Sequence, residues 1–288
     1  ELVAYYKKWY RPDNQAIVIV DDIDVDYTEN LIKKLFGDIQ VAPDAAKVID
    51  EPVPDNEQTI YVSEKDNEQQ FPIVRLAMKR DPVPAELKKT VAYLVTAYLN
   101  NLICAMTNSR FTEMTQQPDC PFIQALAQNE SYMQLARTKD AMMLIGGAKD
   151  GKETETVQAV TREAKRIHDF GFTPTEFARA KADYLSSLEK MYTNRDKMKN
   201  EQFANDYIEN FLENSPIPSV EDLYQTMNML SQQLPFELAN QYAQQIINVD
   251  EKNLVVFQME QEKEGKTYLT PEMMKTAVEG VRTETLEI

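Results

Sequence analysis

The apolar residues of this chain follow two different periods, which divide it into predicted strands and predicted helices. Four short runs are rich in β-branched and large apolar residues, which predicts strands. These runs are residues 16–20 (AIVIV), 59–63 (TIYVS), 73–79 (IVRLAMK) and 253–259 (NLVVFQM). Apolar and polar residues alternate in the third run, as in a strand buried on one face, so we expect Lys79 on its exposed face. The stretch 122–147 predicts two or three more strands.

Helical spacing of apolar residues predicts the other elements. The clearest helix start is the set Thr173, Pro174 and Glu176, which matches a capping box with proline in the first turn. Gly37 and Gly171 follow two apolar stripes and are expected to end helices. Predicted helices follow Asp24, Pro84, Thr173, Ser219, Pro235 and Thr270, and one more covers residues 157–167.

This order of elements predicts an α+β fold. We expect a two-layer sandwich, with a mixed, mostly antiparallel β-sheet and helices packed on one face. Residues 1–262 would form one domain, with a linking loop over 38–57, and residues 263–288 would form a polar linker towards a following domain. The chain begins at Glu1 without methionine, so we interpret it as a piece of a longer protein.

Charge narrows the classes of partner. The chain of 288 residues has 31 Lys and Arg against 47 Asp and Glu, a formal net charge of −16, while 43% of its residues are hydrophobic. It can therefore bury a core, but its surface repels nucleic-acid phosphates and anionic lipid headgroups. No apolar run is long enough to span a bilayer. We expect neither nucleic acid nor a membrane as partner.

The composition also includes few residues of the types that form metal sites and phosphate-binding loops. There is one histidine, and only 7 glycines are present. His168 lies at a predicted helix end, where a histidine can bond terminal carbonyls. Cys104 and Cys120 are expected to be free thiols. We therefore predict no catalytic, cofactor-binding or metal-binding residue in this chain.

The acidic residues suggest two further kinds of site, calcium ligands and acid–base pairs. Asp22, Asp24 and Asp26 fit the first positions of a calcium-binding loop, but Tyr27 and Lys33 stand where that loop requires glycine and glutamate. Paired carboxylates for a metal-independent hydrolase stay open as a hypothesis, which predicts a deep cleft with raised carboxyl pKa values.

Three stretches together resemble the second domain of pitrilysin/insulinase-type zinc peptidases. These are YYKKWYRPDNQAIVIVDDIDVDYTENLIKKLF (5–36), GFTPTEFARAKADYL (171–185) and FLENSPIPSVEDLY (211–224). One departure is Asp21, where the family usually has glycine. Arg110 matches a structural helix position of the family. The family's substrate-binding arginine position falls near Thr115 or Gln116 and its tyrosine position near Phe122, and neither residue is retained.

The resemblance implies a noncatalytic domain that packs beside a metal-bearing domain of the same polypeptide and helps to form a peptide-binding chamber. Zinc and the H-x-x-E-H motif would belong to the preceding domain, so the parent would be a zinc metalloendopeptidase and this chain alone inactive. A periplasmic or cell-envelope parent fits the resemblance. The alternative is a scaffold of the same fold without peptidase activity, like the core subunits of respiratory complexes.

Overall fold

The computed structural model describes residues 1–287, and its centre is one five-stranded sheet. The strands are β1 (Ile60–Asp66), β2 (Ile73–Arg80), β3 (Phe122–Ser131), β4 (Asp140–Ala148) and β5 (Leu254–Gln261). They lie in the order β1-β5-β2-β4-β3, where only the β1–β5 pair is parallel. The predicted α+β class with a mixed, mostly antiparallel sheet is confirmed.

The helices account for most of the remaining chain. They are α1 (Leu2–Trp9), α2 (Val25–Phe36), α3 (Val91–Thr115), α4 (Glu153–Phe170), α5 (Pro174–Thr193), α6 (Asn200–Glu213), α7 (Val220–Gln233), α8 (Phe236–Ile246) and α9 (Pro271–Thr283). The predicted capping box of α5 is present, since Thr173 and Glu176 bond each other's backbone N–H groups. The predicted end of α4 is also present, because Gly171 adopts a φ of 70° that disfavours other residues.

The core lies between the sheet and the helices on one of its faces. Helix α3 supplies buried side chains such as Tyr98, Leu102 and Phe111, which form a continuous cluster with Leu76 of β2 and Leu144 of β4. Helix α3 begins later than the sequence predicts. The residues after Pro84 form only a short 3₁₀ turn, and Thr90 caps the helix with its hydroxyl. The first predicted turns therefore stay outside the core.

The predicted strand 16–20 is wrong. These residues lie outside the sheet, and Ile17 and Ile19 are 53% and 48% exposed. Their β-branched composition favours extended backbone, but a strand also requires a partner, and the five sheet strands of the described residues already pair with one another. Composition alone could not reveal that the partner is missing.

The far face of β2 differs from the expected pattern as well. Lys79 is only 7% exposed. The segment of residues 50–57 passes beside it, held by hydrogen bonds from Val53 to Thr138 and from Asn56 to Asn253. The ammonium group of Lys79 donates a hydrogen bond to the carbonyl of Pro54 at 2.6 Å and lies 5.7 Å from the ring of Tyr132. The alternation of apolar and polar residues in β2 does not indicate that another segment covers this face.

Helix α9 lies inside the stretch that we expected to be a polar linker. Met274 and Val278 are fully buried in the same cluster as the sheet core, and α9 packs against α4 and β1. The helix has the capped, amphipathic pattern of a core element, with Thr270 as its cap. The division at residue 262 and a following domain stay predictions. None of the helices in the described part is long and apolar enough to cross a membrane.

Candidate functional site

One group of exposed apolar residues lies near the N-terminus. We call it the N-terminal surface: Ile17, Ile19, Val25, Leu31, Leu35 and Phe36, all exposed. Helix α2 contributes four of these residues and buries no side chain at all. An amphipathic helix with an exposed apolar stripe marks an interaction surface.

Local interactions hold α2 without help from the core. The carboxylate of Asp24 accepts a hydrogen bond from the N–H of Tyr27 at 2.9 Å and caps the helix. One turn later Glu29 and Lys33 form an ion pair. Asp21, the departure from the family pattern, has no positive φ and accepts hydrogen bonds from Asp22 N–H and the side chain of Asn200. Its turn is therefore of a type that does not require glycine.

A cavity of about 810 Å³ adjoins this segment, between α1 and residues 46–51. Trp9, the only tryptophan, lines it together with Tyr5 and Ile49. Arg11 joins the two sides, since its guanidinium pairs with Asp13 at 3.0 Å and donates to the carbonyl of Ala46 at 2.7 Å. The cavity is lined mainly by apolar and aromatic groups and holds no nucleophile paired with a base.

Arg110 is the centre of the best-connected charged network. Its guanidinium donates to Glu163 at 2.9 Å, to both carboxylate oxygens of Glu176 at 2.6 and 3.0 Å, and to the carbonyl of Gly171 at 3.0 Å. It also lies 4.7 Å from the ring centre of Phe172. Burial lowers the pKa of Arg110, but the hydrogen bonds that it donates to Glu176 and Glu163 outweigh this effect and raise the pKa. The network joins α3, α4 and α5, so Arg110 has a structural role.

A second charged network holds the segment between β5 and α9. The ammonium of Lys266 contacts Glu260 at 2.6 Å and Glu153 at 3.1 Å, and Glu260 is fully buried. Burial lowers the pKa of Lys266, but hydrogen bonds to the two carboxylates outweigh it and raise the pKa. The two ion pairs therefore give Lys266 a structural role.

The remaining residues that the sequence singled out lie in separate places. The Nδ1–H of His168 donates to the carbonyl of Gln244 at 2.9 Å, so it joins α4 to α8 rather than capping its own helix. Phe122 is 1% exposed and packs edge-on against Phe111, which removes it from any substrate surface. Thr115 donates its hydroxyl to the carbonyl of Thr112 within α3. Cys104 and Cys120 are free thiols.

Within residues 1–287, no group of three or more His, Cys, Asp or Glu side chains is arranged to hold a metal ion. The hypothesis of a metal-independent hydrolase with paired carboxylates finds weak support in the structure. The pKa of Asp206 is raised by burial and by the neighbouring charge of Glu209, yet both residues are exposed on α6 rather than enclosed in a deep cleft.

Comparison with known protein families identifies the family of this chain. The family model described as the peptidase M16 inactive domain matches residues 1–184, which is well over half of the chain. The chain therefore belongs to the inactive-domain family of M16 peptidases, the class of noncatalytic partner domains of these enzymes.

Individual relatives are distant and much longer. A protein of Arabidopsis thaliana described as a "Zinc protease PQQL-like" is 23% identical over 243 residues, which are 84% of this chain and 22% of that protein. The periplasmic protease PqqL of Escherichia coli has a TM-score of 0.76 at 19% identity, and the match covers 99% of this chain and 31% of that one. An insulinase-family protease of Yersinia pestis has a TM-score of 0.77 at 13% identity, over 97% of this chain and 58% of that one.

These structural similarities establish the fold. The chain spans less than a third of the length of its Arabidopsis relative and of PqqL.

Proposed function

We propose that this chain is the noncatalytic domain of a zinc metallopeptidase, where it packs beside the metal-bearing domain of the same polypeptide and forms part of the chamber wall that receives a peptide. Zinc would be held by the other domain, and this chain alone would not cleave peptides. The observation that carries the proposal is the N-terminal surface, in a chain that belongs to the M16 inactive-domain family.

A repeated pattern supports the packing. A short apolar run, then a loop, then a capped amphipathic helix occurs at residues 16–36 and again at 254–283. In the second copy, β5 pairs with β1 and β2, and α9 packs against α4. The first copy has a comparable apolar run, but within residues 1–287 it is not part of the sheet. A neighbouring domain that offered a sheet edge would bury it in the same manner.

The N-terminal surface is large enough for its burial to stabilise the packing of two domains. Burying one large apolar side chain contributes about 1.5–3 kcal/mol, and six such residues, five aliphatic and one aromatic, are exposed on the N-terminal surface. Association also has an entropic cost of several kcal/mol, which two domains joined in one polypeptide largely avoid. Tethered packing through this surface is therefore favourable.

Reconstitution of the two domains tests the proposal. The domain that precedes this one in the parent protein is produced separately and mixed with residues 1–288, and complex formation is measured by calorimetry and gel filtration. We expect a zinc-containing complex that cleaves a quenched fluorogenic peptide, and no cleavage by this chain alone. A tightly bound zinc ion in the isolated chain would contradict the assignment.

Matched variants locate the interface. The double variant Ile17→Asp with Ile19→Asp should weaken the complex at least about tenfold, equivalent to about 1.4 kcal/mol. The control is Ile123→Asp, which changes an equally exposed isoleucine on β3. Equal affinities for the double variant and wild type would show that the domains pack elsewhere. A complex without any cleavage would favour the scaffold alternative.

A further inference from the structure

Helix α6 has its apolar side turned away from the domain. Its aromatic residues Phe203, Tyr207 and Phe211 follow one another at intervals of four, so they lie on one face of the helix. Ile208 and Leu212 widen this face, and all five side chains are between 36% and 54% exposed. The helix buries none of its side chains. We call these five residues the α6 stripe.

The opposite side of α6 is acidic and borders the domain. Asp206 and Glu209 line a cavity of about 300 Å³ together with Tyr93 of α3 and Met191 of α5. An amphipathic helix on the surface of a domain normally turns its apolar face to the core and its charged face to solvent. Helix α6 has the reverse orientation, so its apolar stripe is open to a partner.

Polar bonds at the two ends hold α6 in this orientation. At its start, the side chain of Asn200 donates to the carboxylate of Asp21 at 3.1 Å. At its end, the ammonium of Lys88 donates to the backbone carbonyl of Glu213 at 2.7 Å. Neither bond involves an apolar side chain. The outward direction of the stripe is therefore set without a covering layer.

The charge of α6 indicates which partner fits. The helix carries four carboxylates, and Lys and Arg are absent from its sequence. At 3.6 residues per turn, Glu201 and Glu209 flank the stripe on one side, and Asp206 and Glu213 flank it on the other. Within residues 1–287, none of the four forms a salt bridge. An apolar stripe between unpaired carboxylates favours a partner with basic side chains.

Two other occupants fit this surface less well. A second copy of the chain would bring two acidic helices together, and each chain has a net charge of −16. The neighbouring domain of the same polypeptide is assigned to the N-terminal surface, whose helix α2 also carries Lys33 and Lys34. Non-obligate interfaces combine an aromatic, apolar centre with a polar rim. The α6 stripe and its carboxylates have this composition.

We propose that the α6 stripe binds a basic amphipathic helix of a separate protein. Apolar side chains of the partner, three and four residues apart, pack on Phe203, Tyr207 and Phe211. Lys or Arg side chains at the edges of the partner helix pair with the carboxylates of α6. The proposal goes beyond the proposed function, because it requires neither zinc nor the metal-bearing domain.

A model peptide tests the proposal on this chain alone. The probe is a fluorescein-labelled peptide of about 14 residues, or four helical turns, with leucine on one face and lysine on the other. Fluorescence anisotropy measures its binding to the 288-residue chain. We expect saturable binding that added salt weakens, with shifted amide NMR signals at residues 200–213.

A shuffled peptide is the control for amphipathic character. It has the same composition, but its leucines do not share a helix face, so it should bind at least about tenfold more weakly. Absence of saturable binding, equal affinity for the shuffled peptide, or signal changes confined to another surface would each overturn the proposal.

Matched double variants locate the site. Tyr207→Gln with Phe211→Gln removes two aromatic residues of the stripe, which are 48% and 54% exposed, and should weaken peptide binding at least about tenfold. The control, Ile123→Gln with Leu135→Gln, removes two apolar residues that are 59% and 87% exposed elsewhere and should leave the affinity unchanged. Melting temperatures establish that both variants fold. Equal affinities of the two folded variants would contradict the proposed site.

Competition distinguishes a separate protein from the neighbouring domain. The peptide should bind the complex of this chain with the metal-bearing domain as tightly as it binds this chain alone. Displacement of the peptide by that domain would show that α6 is covered within the parent polypeptide, and the proposal would then be wrong. If the two domains do not associate, the proposed function fails, whereas peptide binding to this chain still decides the role of the α6 stripe.

Discussion

Glu176 pairs with Arg110 through the same carboxylate that caps helix α5. One oxygen accepts from Arg110 Nε at 2.6 Å, and the other accepts from Arg110 Nη2 at 3.0 Å and from the Thr173 N–H at 2.7 Å. The start of α5 is thereby fixed against α3. Because Glu163 of α4 is the third partner, one arginine sets the relative positions of three helices.

Replacing Arg110 should destabilise the domain strongly. Glu163 is only 2% exposed, and Arg110→Leu would leave it with Arg166 alone at 3.0 Å. Breaking a buried ion pair costs about 3–5 kcal/mol, and the residual Arg166 contact places the expected loss near the lower end of that range. The free energy of unfolding in urea measures it.

The matched control is Arg179→Leu. Arg179 also lies on a helix and faces a carboxylate, Glu113, but at 3.9 Å and with side chains 62% and 71% exposed. Such a surface pair contributes between 0 and about 1 kcal/mol. Similar losses for the two variants would contradict the structural role of the Arg110 network.

The Glu176 pair should also give the domain a specific acid sensitivity. Burial raises the pKa of Glu176, but hydrogen bonds from Arg110 and Thr173 outweigh it, so the pKa lies below the ordinary value of 4.5. A lowered folded-state pKa stabilises above the unfolded value and loses that contribution as the pH falls through the folded one. Gln suits the same capping position.

We therefore expect the stability difference between wild type and Glu176→Gln to be constant near neutral pH and to shrink below pH 4.5. Urea unfolding at a series of pH values measures it. A difference that stayed constant down to about pH 3 would show that ionised Glu176 makes no net contribution, since the carboxyl of the unfolded chain is by then largely protonated.

Sequence patterns predicted those parts of the fold that depend on local chemistry. The capping box at Thr173, the stop at Gly171 and the strands around Val74 and Leu254 each have a signal within a few residues. The predicted strand at residues 16–20 failed because pairing depends on a distant partner. The cover over Lys79 and the core position of α9 were missed for the same reason.

The candidate sites were less predictable. Arg110 was recognised only as a structural helix position, because its partners are 53 and 66 residues away. The groove between α3 and β3 has no sequence signature, since Asn100 and Asn129 line it, and Asn108 reaches Ala127, only because α3 packs beside the sheet edge. Asparagines seven or eight positions apart on α3 are the one signal that could have indicated it.

Removing the amide of Asn108 should uncover the edge of β3. Asn108→Leu leaves the N–H and carbonyl of Ala127 without their side-chain partner, at a cost of about 1–3 kcal/mol. It also lengthens the open edge, which promotes association between chains. Light scattering and urea unfolding measure the two effects. The control Thr112→Leu changes an exposed residue one turn further along α3 and should alter neither.

Cys104 lines a groove of about 400 Å³ between α3 and residues 127–130 of β3, and the reactivity of its thiol reports on how well that groove is shielded. Burial raises the pKa of Cys104 to about 11. The thiolate is the reactive form, so the folded protein should react with iodoacetamide far more slowly at pH 8 than the urea-unfolded chain. Because the folded-state pKa is raised, the neutral thiol stabilises the fold below the ordinary value of 9.0, and this contribution disappears as the pH rises towards 11.

Cys120→Ala removes the other thiol, so that the reaction with iodoacetamide reports on Cys104 alone. Equal reaction rates for folded and unfolded chains at pH 8 would mean that Cys104 is not shielded, and the groove would then be wider than the structure indicates.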